Sequence, residues 1–326
     1  MRKETSSTSR RGRAVTELLE WMLDTDPALR WRVERDLAHA PEPTWQATRA
    51  RVATEGMGAR LLALQGADGQ WAGGAFFPEG FTGDEAQPWT ATTWSLNSLR
   101  EWGVDASVLE GTAGKLAVSS RWEYNDEPYW NGEVDACING YALANGVWLG
   151  ADVEGLVTWF LEHQMAEGGW NCEWVEGSVR SSIVSTLNSL TSILYFEQET
   201  GDARLRDARH AGEEYLLERG LMRFETTGEV IAPWVTRLEY PFRGHYNVLK
   251  GVDYFRSAAL HDGVTADPRL AEAVDVIRAA RQPDGTWLQQ RRHPGAVWFD
   301  EDVDAGQPSP WLTFYGTRVL EWADAS

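Results

Sequence analysis

Two cysteines and one histidine offer the ligand types that Zn²⁺ prefers. Cys137, Cys172 and His245 would supply two thiolates and one imidazole, leaving a fourth coordination position open to activate a water or a thiol. Asp135 would be the fourth ligand or would orient His245. The alternative is that both cysteines are small buried hydrophobic residues and that His245 caps a helix. Because these residues are far apart in the sequence, a zinc site depends on a fold that brings them together.

Acidic side chains provide a second candidate chemistry. A carboxylic acid in an apolar pocket has its pKa raised by desolvation and stays protonated near neutral pH, as a proton-initiated cyclisation requires. We expect Asp135 or Asp300 to be this acid. The alternative is that an acid just before a helix is a cap and that residues 300–304 form a solvated run. The candidate acids are Asp84, Glu133, Asp135, Asp300, Glu301 and Asp302.

Tryptophan is abundant, with 18 copies in 326 residues. Several copies lie in loops before predicted helices, where they would line a cavity and stack on a substrate or stabilise a cation. Packing between helices is the alternative, and we expect it for Trp71, Trp170 and Trp287. We expect His245 and Tyr246 to act as a base or as orienting groups. The predicted substrate-binding residues are Trp89, Trp130, Trp234, Trp298, Trp311 and Arg243.

A turn that occurs three times would position these residues. It consists of a polar side chain, three residues, Gly, one residue and Trp, at residues 65–71, 164–170 and 281–287. Glycine adopts the positive φ that ends a helix, and Trp fills the gap between neighbouring helices. Three copies at intervals of about one hundred residues predict a repeat architecture.

Hydrophobic spacing around these turns predicts an all-α protein with twelve helices in six pairs. The second helices of the pairs start near residues 28, 89, 134, 181, 245 and 310. Long aromatic loops precede several of them, and these loops would meet at one mouth if the pairs close into a ring. We therefore predict one domain at 14–326, a closed (α/α)6 toroid with the second helices inside. A flexible tail is expected at 1–13, and one long helix at 45–64.

The overall composition limits the kinds of partner and the location that we expect for this chain. The formal net charge is −19, and without a basic stripe this charge argues against nucleic-acid binding. No apolar run approaches the ~18–20 residues that span a bilayer, and residues 1–13 do not read as a secretory signal. With 2 Cys and no disulfide framework, we expect a cytoplasmic protein. An acidic surface does not indicate the oligomeric state.

The three Gln/Arg-x-x-x-Gly-x-Trp turns, at Gln65, Gln164 and Arg281, resemble the repeat of the squalene–hopene and oxidosqualene cyclases. These enzymes belong to the superfamily of terpenoid cyclases and protein prenyltransferases. The chain looks most like single-toroid bacterial proteins with the prenyltransferase/squalene-oxidase repeat. The resemblance implies one toroid of six inner and six outer helices. Because this fold hosts several chemistries in the superfamily, it indicates the reaction only weakly.

The catalytic patterns of that superfamily match only in part. Class II cyclases use the middle Asp of an Asp-x-Asp-Asp motif, and the nearest stretches here, 133–136 and 302–305, lack the final Asp. Protein prenyltransferases bind zinc with an Asp-x-Cys pair and a His at the starts of two inner helices. The matching residues are Asp135, Cys137 and His245, but two repeats separate them where the prenyltransferases use adjacent repeats.

The resemblance implies an enzyme of the cyclase type, an isomerase or lyase. Its substrate would be a small, apolar, isoprenoid-like molecule in the central cavity, converted by acid-initiated cyclisation or carbocation chemistry. One alternative is a zinc enzyme that uses Cys137, Cys172 and His245 for prenyl transfer to a thiol or for water activation, with Zn²⁺ as its one candidate cofactor. The other alternative is a non-catalytic toroid that binds a ligand or a peptide at its mouth.

Overall fold

The computed structural model describes residues 16–326, and the predicted tail at 1–13 lies outside them. This part of the chain is mostly helical, which confirms the all-α prediction. Its 13 helices are accompanied by one pair of two-residue strands, Trp287–Leu288 and Pro308–Ser309. The helices are α1 (16–23), α2 (Pro27–Asp36), α3 (Glu42–Arg51), α4 (Gly56–Leu62), α5 (Thr92–Trp102), α6 (Thr112–Ser119), α7 (Ala136–Leu149), α8 (Glu154–Glu162), α9 (Ile183–Thr200), α10 (Arg206–Glu218), α11 (Val248–Asp262), α12 (Ala271–Ala279) and α13 (Pro310–Ala325).

The prediction of one long helix at 45–64 is wrong, because α3 and α4 are separate helices. Gly56 begins α4 with φ +63°, and a Cβ atom on it would lie 2.0 Å from the carboxylate of Asp26. One oxygen of Asp26 accepts from the Ala28 N–H at 2.9 Å, and the other accepts from the Met57 N–H at 2.8 Å. The chain breaks here because a single carboxylate caps two helices.

The three Gly–Trp turns share one geometry. Their glycines have φ of +89°, +91° and +94°, and each Trp is fully buried. The indole N–H donates at 2.8–3.1 Å to the carbonyl ten residues earlier. The backbone N–H of the Trp donates to the hydroxyl of a threonine in a following helix at 3.0–3.1 Å. The residues are Gly69, Gly168 and Gly285; Trp71, Trp170 and Trp287; and Thr92, Thr186 and Thr313.

Six helices contact one another in sequence. Helix α5 packs on α7, α7 on α9, α9 on α11 and α11 on α13. Helix α13 contacts α2, where Arg318 donates to Asp36 at 3.0 Å. Helix α2 contacts α5, where the Trp31 indole donates to the Trp102 carbonyl at 2.8 Å. Helices α3, α4, α6, α8, α10 and α12 pack against members of this set.

None of the helices within residues 16–326 combines the length and the apolar character that crossing a membrane requires.

Candidate functional site

A cavity of about 340 Å³ is lined by residues from all six of the mutually contacting helices. Its lining combines aromatic side chains with many charged and polar ones, and the charged ones were not expected in a cavity predicted to be apolar. Two acids, Glu101 and Asp253, and several tyrosines are present. The cationic side chains of the lining are Arg32, Arg100, Arg243, Lys250 and Arg318.

Only some of these cations are neutralised by an acid. Arg318 pairs with Asp253 at 2.6 Å, and Arg243 pairs with Glu301 at 3.0 Å. The buried Nε of Arg32 has no hydrogen-bond partner within residues 16–326. Arg100 donates to a neutral amide oxygen at 3.0 Å, and burial lowers the pKa of its guanidinium. The cavity therefore holds positive charge that the described residues leave available to an anion.

Lys250 adds a further cation at the edge of this cavity. Its ammonium group donates to Asn188 Oδ1 at 2.6 Å and to the carbonyl oxygens of Arg243 and His245, both at 3.1 Å. All three acceptors are neutral. Burial lowers the pKa of Lys250 to about 8, although the nearby Cys137 and Glu101 act in the opposite direction. Lys250 is thus mostly charged at neutral pH and is poised to lose its proton just above it.

The two cysteines lie together beside Lys250. Their Sγ atoms are 3.4 Å apart. Asn188 donates to Cys137 Sγ at 3.4 Å, and Ser185 donates to Cys172 Sγ at 3.4 Å. Asn188 and Ser185 both belong to α9, so one helix positions both thiols.

Cys137 lies one helical turn before Tyr141, a residue of the cavity lining. Residues four apart share a helix face, and the lining residue Asn188 contacts the Cys137 sulfur, so Cys137 lies behind the cavity wall and is not itself a lining residue. The hydrogen bond from Cys172 lowers the pKa of the Cys137 thiol to about 7; burial opposes this shift, and Lys250 adds to it. The pKa of Cys172 is raised, because Cys172 keeps the proton that this hydrogen bond uses.

The predicted zinc ligands do not form one set. Cys137 and Cys172 are together, but they and His245 are not among the ligand groups whose atoms lie mutually within 4.8 Å. The imidazole of His245 stacks on His293, with ring centroids 3.5 Å apart and planes 8° apart. As they are placed, the three residues do not fit a zinc centre.

Residues 16–326 do contain one group with metal-ligating spacing, between α10 and α11. It comprises His210, Glu213 and Asp262. Arg209 donates to both of these carboxylates, at 2.8 Å each. Both acids are therefore already engaged by one buried guanidinium, and His210 is exposed.

A smaller cavity of about 250 Å³ lies beside the stacked histidines. His293 Nε2 is 3.1 Å from Glu239 Oε1, and both side chains are 3% exposed. Burial, together with the charge of His293, lowers the pKa of His245 to about 3, so this imidazole is neutral. Within the described chain, His245 Nε2 and His293 Nδ1 are buried without hydrogen-bond partners. This pocket contains polar groups that the protein itself does not satisfy.

The acids behave differently from the prediction. Asp300 is 64% exposed and pairs with Arg292, so it is not a desolvated acid and that expectation is wrong. Burial raises the pKa of its neighbour Asp302 to about 6 instead. Burial, together with the charge of Glu176, also raises the pKa of Asp135, as expected. Asp135 is nevertheless not part of the cavity lining.

The predicted tryptophans lie around the site and do not line the central cavity. Trp130 donates to the Ala113 carbonyl at 2.9 Å and packs in the core. Trp311 stacks on Tyr240 with centroids 4.6 Å apart. Trp298 is 37% exposed. Trp130 and Trp311 therefore pack between helices, and Trp298 lies at the surface.

Four other predicted residues lie at or near the two cavities. The ring of Trp89 contacts His245, with centroids 5.5 Å apart, and Trp234 lines the smaller cavity. Tyr246 also borders the smaller cavity. Its hydroxyl donates to the Leu221 carbonyl at 2.5 Å, and burial raises its pKa, so its role is structural. Arg243 is the predicted binding residue that does line the central cavity.

Sequence reasoning missed the polar lining, whose main members are Arg32, Arg100 and Asn188. A signal was present, since Asn188 lies between Leu187 and Leu190 in α9. An amide next to core leucines is costly to bury and is therefore worth testing as a functional residue. His293 and Glu239 lie in loops without a repeat pattern and gave no such signal.

The chain matches no family model, no curated protein and no solved structure.

Proposed function

We propose that this chain is a closed (α/α)6 toroid and a thiol-dependent enzyme that acts on a small organic anion. Two features support the toroid. The six second helices contact one another in sequence, with α13 reaching α2 and α2 reaching α5. All six contribute to the lining of one cavity, as the inner wall of a ring would.

The observation that supports an anionic substrate is the excess of cationic side chains in the cavity lining. Arg32, Arg100 and Lys250 have no acidic partner among the ion pairs of the described residues, although the whole chain has a net charge of −19. Cations in a secluded cavity are strongly attractive to carboxylate or phosphate groups, because solvent screens them little.

Cys137 would supply the nucleophile. The hydrogen bond from Cys172 lowers the pKa of its thiol and so favours the thiolate, which is the reactive form. The thiolate would attack an electrophilic carbon of the bound anion. Lys250, which contacts the same Asn188 as Cys137, would donate a proton to the oxygen or leaving group that gains charge.

Acid-initiated cyclisation of an isoprenoid receives less support. A carbocation is stabilised by aromatic faces. The cavity lining contains four tyrosines and Phe242 but none of the predicted tryptophans, and it also contains five cationic side chains. Positive side chains would raise the energy of a positively charged intermediate. The resemblance to the cyclases therefore bears on the fold more than on the reaction.

A ligand-stabilisation screen tests the proposal. Small carboxylates and phosphate esters should stabilise the wild type by about 2.7 kcal/mol at one hundred times Kd, and this appears as a higher melting temperature. Lys250→Met should weaken this response at least tenfold in apparent Kd, whereas Lys115→Met, at an exposed position of α6, should retain it. Arg100→Gln serves as a second cavity variant if Lys250→Met folds poorly. A wild type that no anion stabilises contradicts the proposal.

A further inference from the structure

Cys137 and Cys172 are placed for a reaction with each other. Their Sγ atoms are 3.4 Å apart, whereas a disulfide needs about 2.0 Å. Cys137 is in the first turn of α7, and Cys172 begins the short 3₁₀ segment Cys172–Glu176. A movement of about 1.4 Å, shared between a helix end and a short segment, would close the bond.

The surroundings of the two thiols differ. Cys137 accepts a hydrogen bond from Asn188 and lies near the Lys250 ammonium, which both favour a thiolate. Cys172 keeps its proton and follows the second Gly–Trp turn. Cys137 is therefore suited to attack an oxidant, and Cys172, with its sulfur 3.4 Å away, is placed to attack the oxidised product.

We propose that Cys137 and Cys172 form a reversible dithiol–disulfide centre that hydroperoxides oxidise. The Cys137 thiolate attacks one peroxide oxygen, the O–O bond breaks, and the leaving oxygen takes a proton to form water or an alcohol. This leaves a sulfenic acid on Cys137. Cys172 then attacks the Cys137 sulfur, the S–O bond breaks, and a second water leaves. Two thiols are oxidised to one disulfide while one peroxide is reduced, and an external dithiol restores the reduced pair.

This centre is independent of the anion-binding proposal, because it needs only the two sulfurs and a small oxidant. If both proposals hold, oxidation would remove the nucleophile from the cavity and so would switch the enzyme off. The two are separable by experiment, since the disulfide can be measured in the absence of any organic anion.

Intact-mass spectrometry with thiol alkylation tests the centre. Hydrogen peroxide at a slight molar excess should lower the mass of the wild type by two hydrogen atoms, and both cysteines should become resistant to N-ethylmaleimide. Dithiothreitol should reverse both changes. Cys172→Ser should instead accumulate a sulfenic acid on Cys137 that dimedone labels, while Cys137→Ser should react at least tenfold more slowly. Circular dichroism of both variants establishes that they are folded.

Three results would overturn the proposal. The first is a wild type that accumulates sulfinic acid on Cys137 while Cys172 stays free. The second is a disulfide that forms only between two chains, seen as a dimer on non-reducing gels. The third is stoichiometric zinc in the purified protein that is lost in both cysteine variants, because the thiolates would then be metal ligands.

Discussion

The three Gly–Trp turns differ from the smaller cavity beside His245 and His293, the histidine pocket, in whether their buried polar groups are hydrogen-bonded. In each turn the indole N–H and the backbone N–H of the Trp are both paired, with nearly the same distances in all three copies. In the pocket, His245 Nε2 and His293 Nδ1 are buried and unpaired within the described chain.

This difference distinguishes the groups that stabilise the fold from the groups that the fold positions in a pocket. A paired buried group adds stability, whereas an unpaired one costs about 1–3 kcal/mol. The turns avoid this cost in all three copies, whereas the pocket carries it at a place where a ligand or water can offset it. The comparison predicts large stability losses at the turns and small ones in the pocket.

The largest effect is expected at the tryptophans of the turns. Trp71→Ala, Trp170→Ala and Trp287→Ala should each lower the free energy of unfolding by about 3–5 kcal/mol, because each leaves a large cavity and removes a buried hydrogen bond. Urea denaturation of the three variants measures this. A loss confined to one copy would contradict the claim that the turns are equivalent.

A smaller loss is expected at the glycine of the second turn. Gly168 has φ +91°, and a Cβ atom there would lie 2.6 Å from the Ala211 carbonyl oxygen. Gly168→Ala should therefore cost at least about 2 kcal/mol in unfolding free energy. The matched control is Gly155→Ala in α8, where a Cβ atom meets nothing within 4 Å and helix propensity should add about 0.5–1 kcal/mol. Equal melting temperatures for the two variants would count against the turn geometry.

Asp302 should make stability depend on pH. Burial raises its pKa from 3.8 to about 6, so between these values the folded protein binds more protons than the unfolded chain. The contribution of Asp302 to stability is therefore fully present below pH 3.8 and is lost as the pH rises to about 6. Asp302→Asn keeps an acceptor for Ser309 and should flatten this fall, by up to about 2 kcal/mol. Urea denaturation from pH 4 to pH 7 measures it, and parallel curves for variant and wild type would exclude this role.

The smallest effect is expected at the stacked histidines. His245→Phe preserves a ring on His293 and removes an unpaired buried nitrogen, so the free energy of unfolding should change by less than about 1 kcal/mol. Thermal and urea denaturation measure this change. A loss as large as those of the tryptophan variants would show that the pocket is part of the structural core.

The sequence predicted the helices and the turns because both depend on local patterns. Apolar spacing located the second helices to within a few residues, and the Gly and Trp positions specified the turns. The break at Gly56 was not predictable, because it depends on Asp26, thirty residues earlier in the chain. The site was only partly predictable for a similar reason. Cys137, Cys172 and Arg243 were singled out by type, but the charge of the cavity comes from single residues such as Arg100 and Lys250, which the fold brings together from different helices.

The alkylation rate of Cys137 by a charged and a neutral reagent tests the central claim most directly. Iodoacetate and iodoacetamide deliver similar groups, but only iodoacetate is an anion, and an ordinary thiol reacts more slowly with it. Reduced Cys172→Ser protein isolates Cys137, and peptide mass spectrometry gives the rates. If cations of the central cavity act on this thiol, iodoacetate should react several-fold faster than iodoacetamide, and adding Lys250→Met should remove the preference. Faster reaction with iodoacetamide in both proteins would contradict an anion-binding cavity at Cys137.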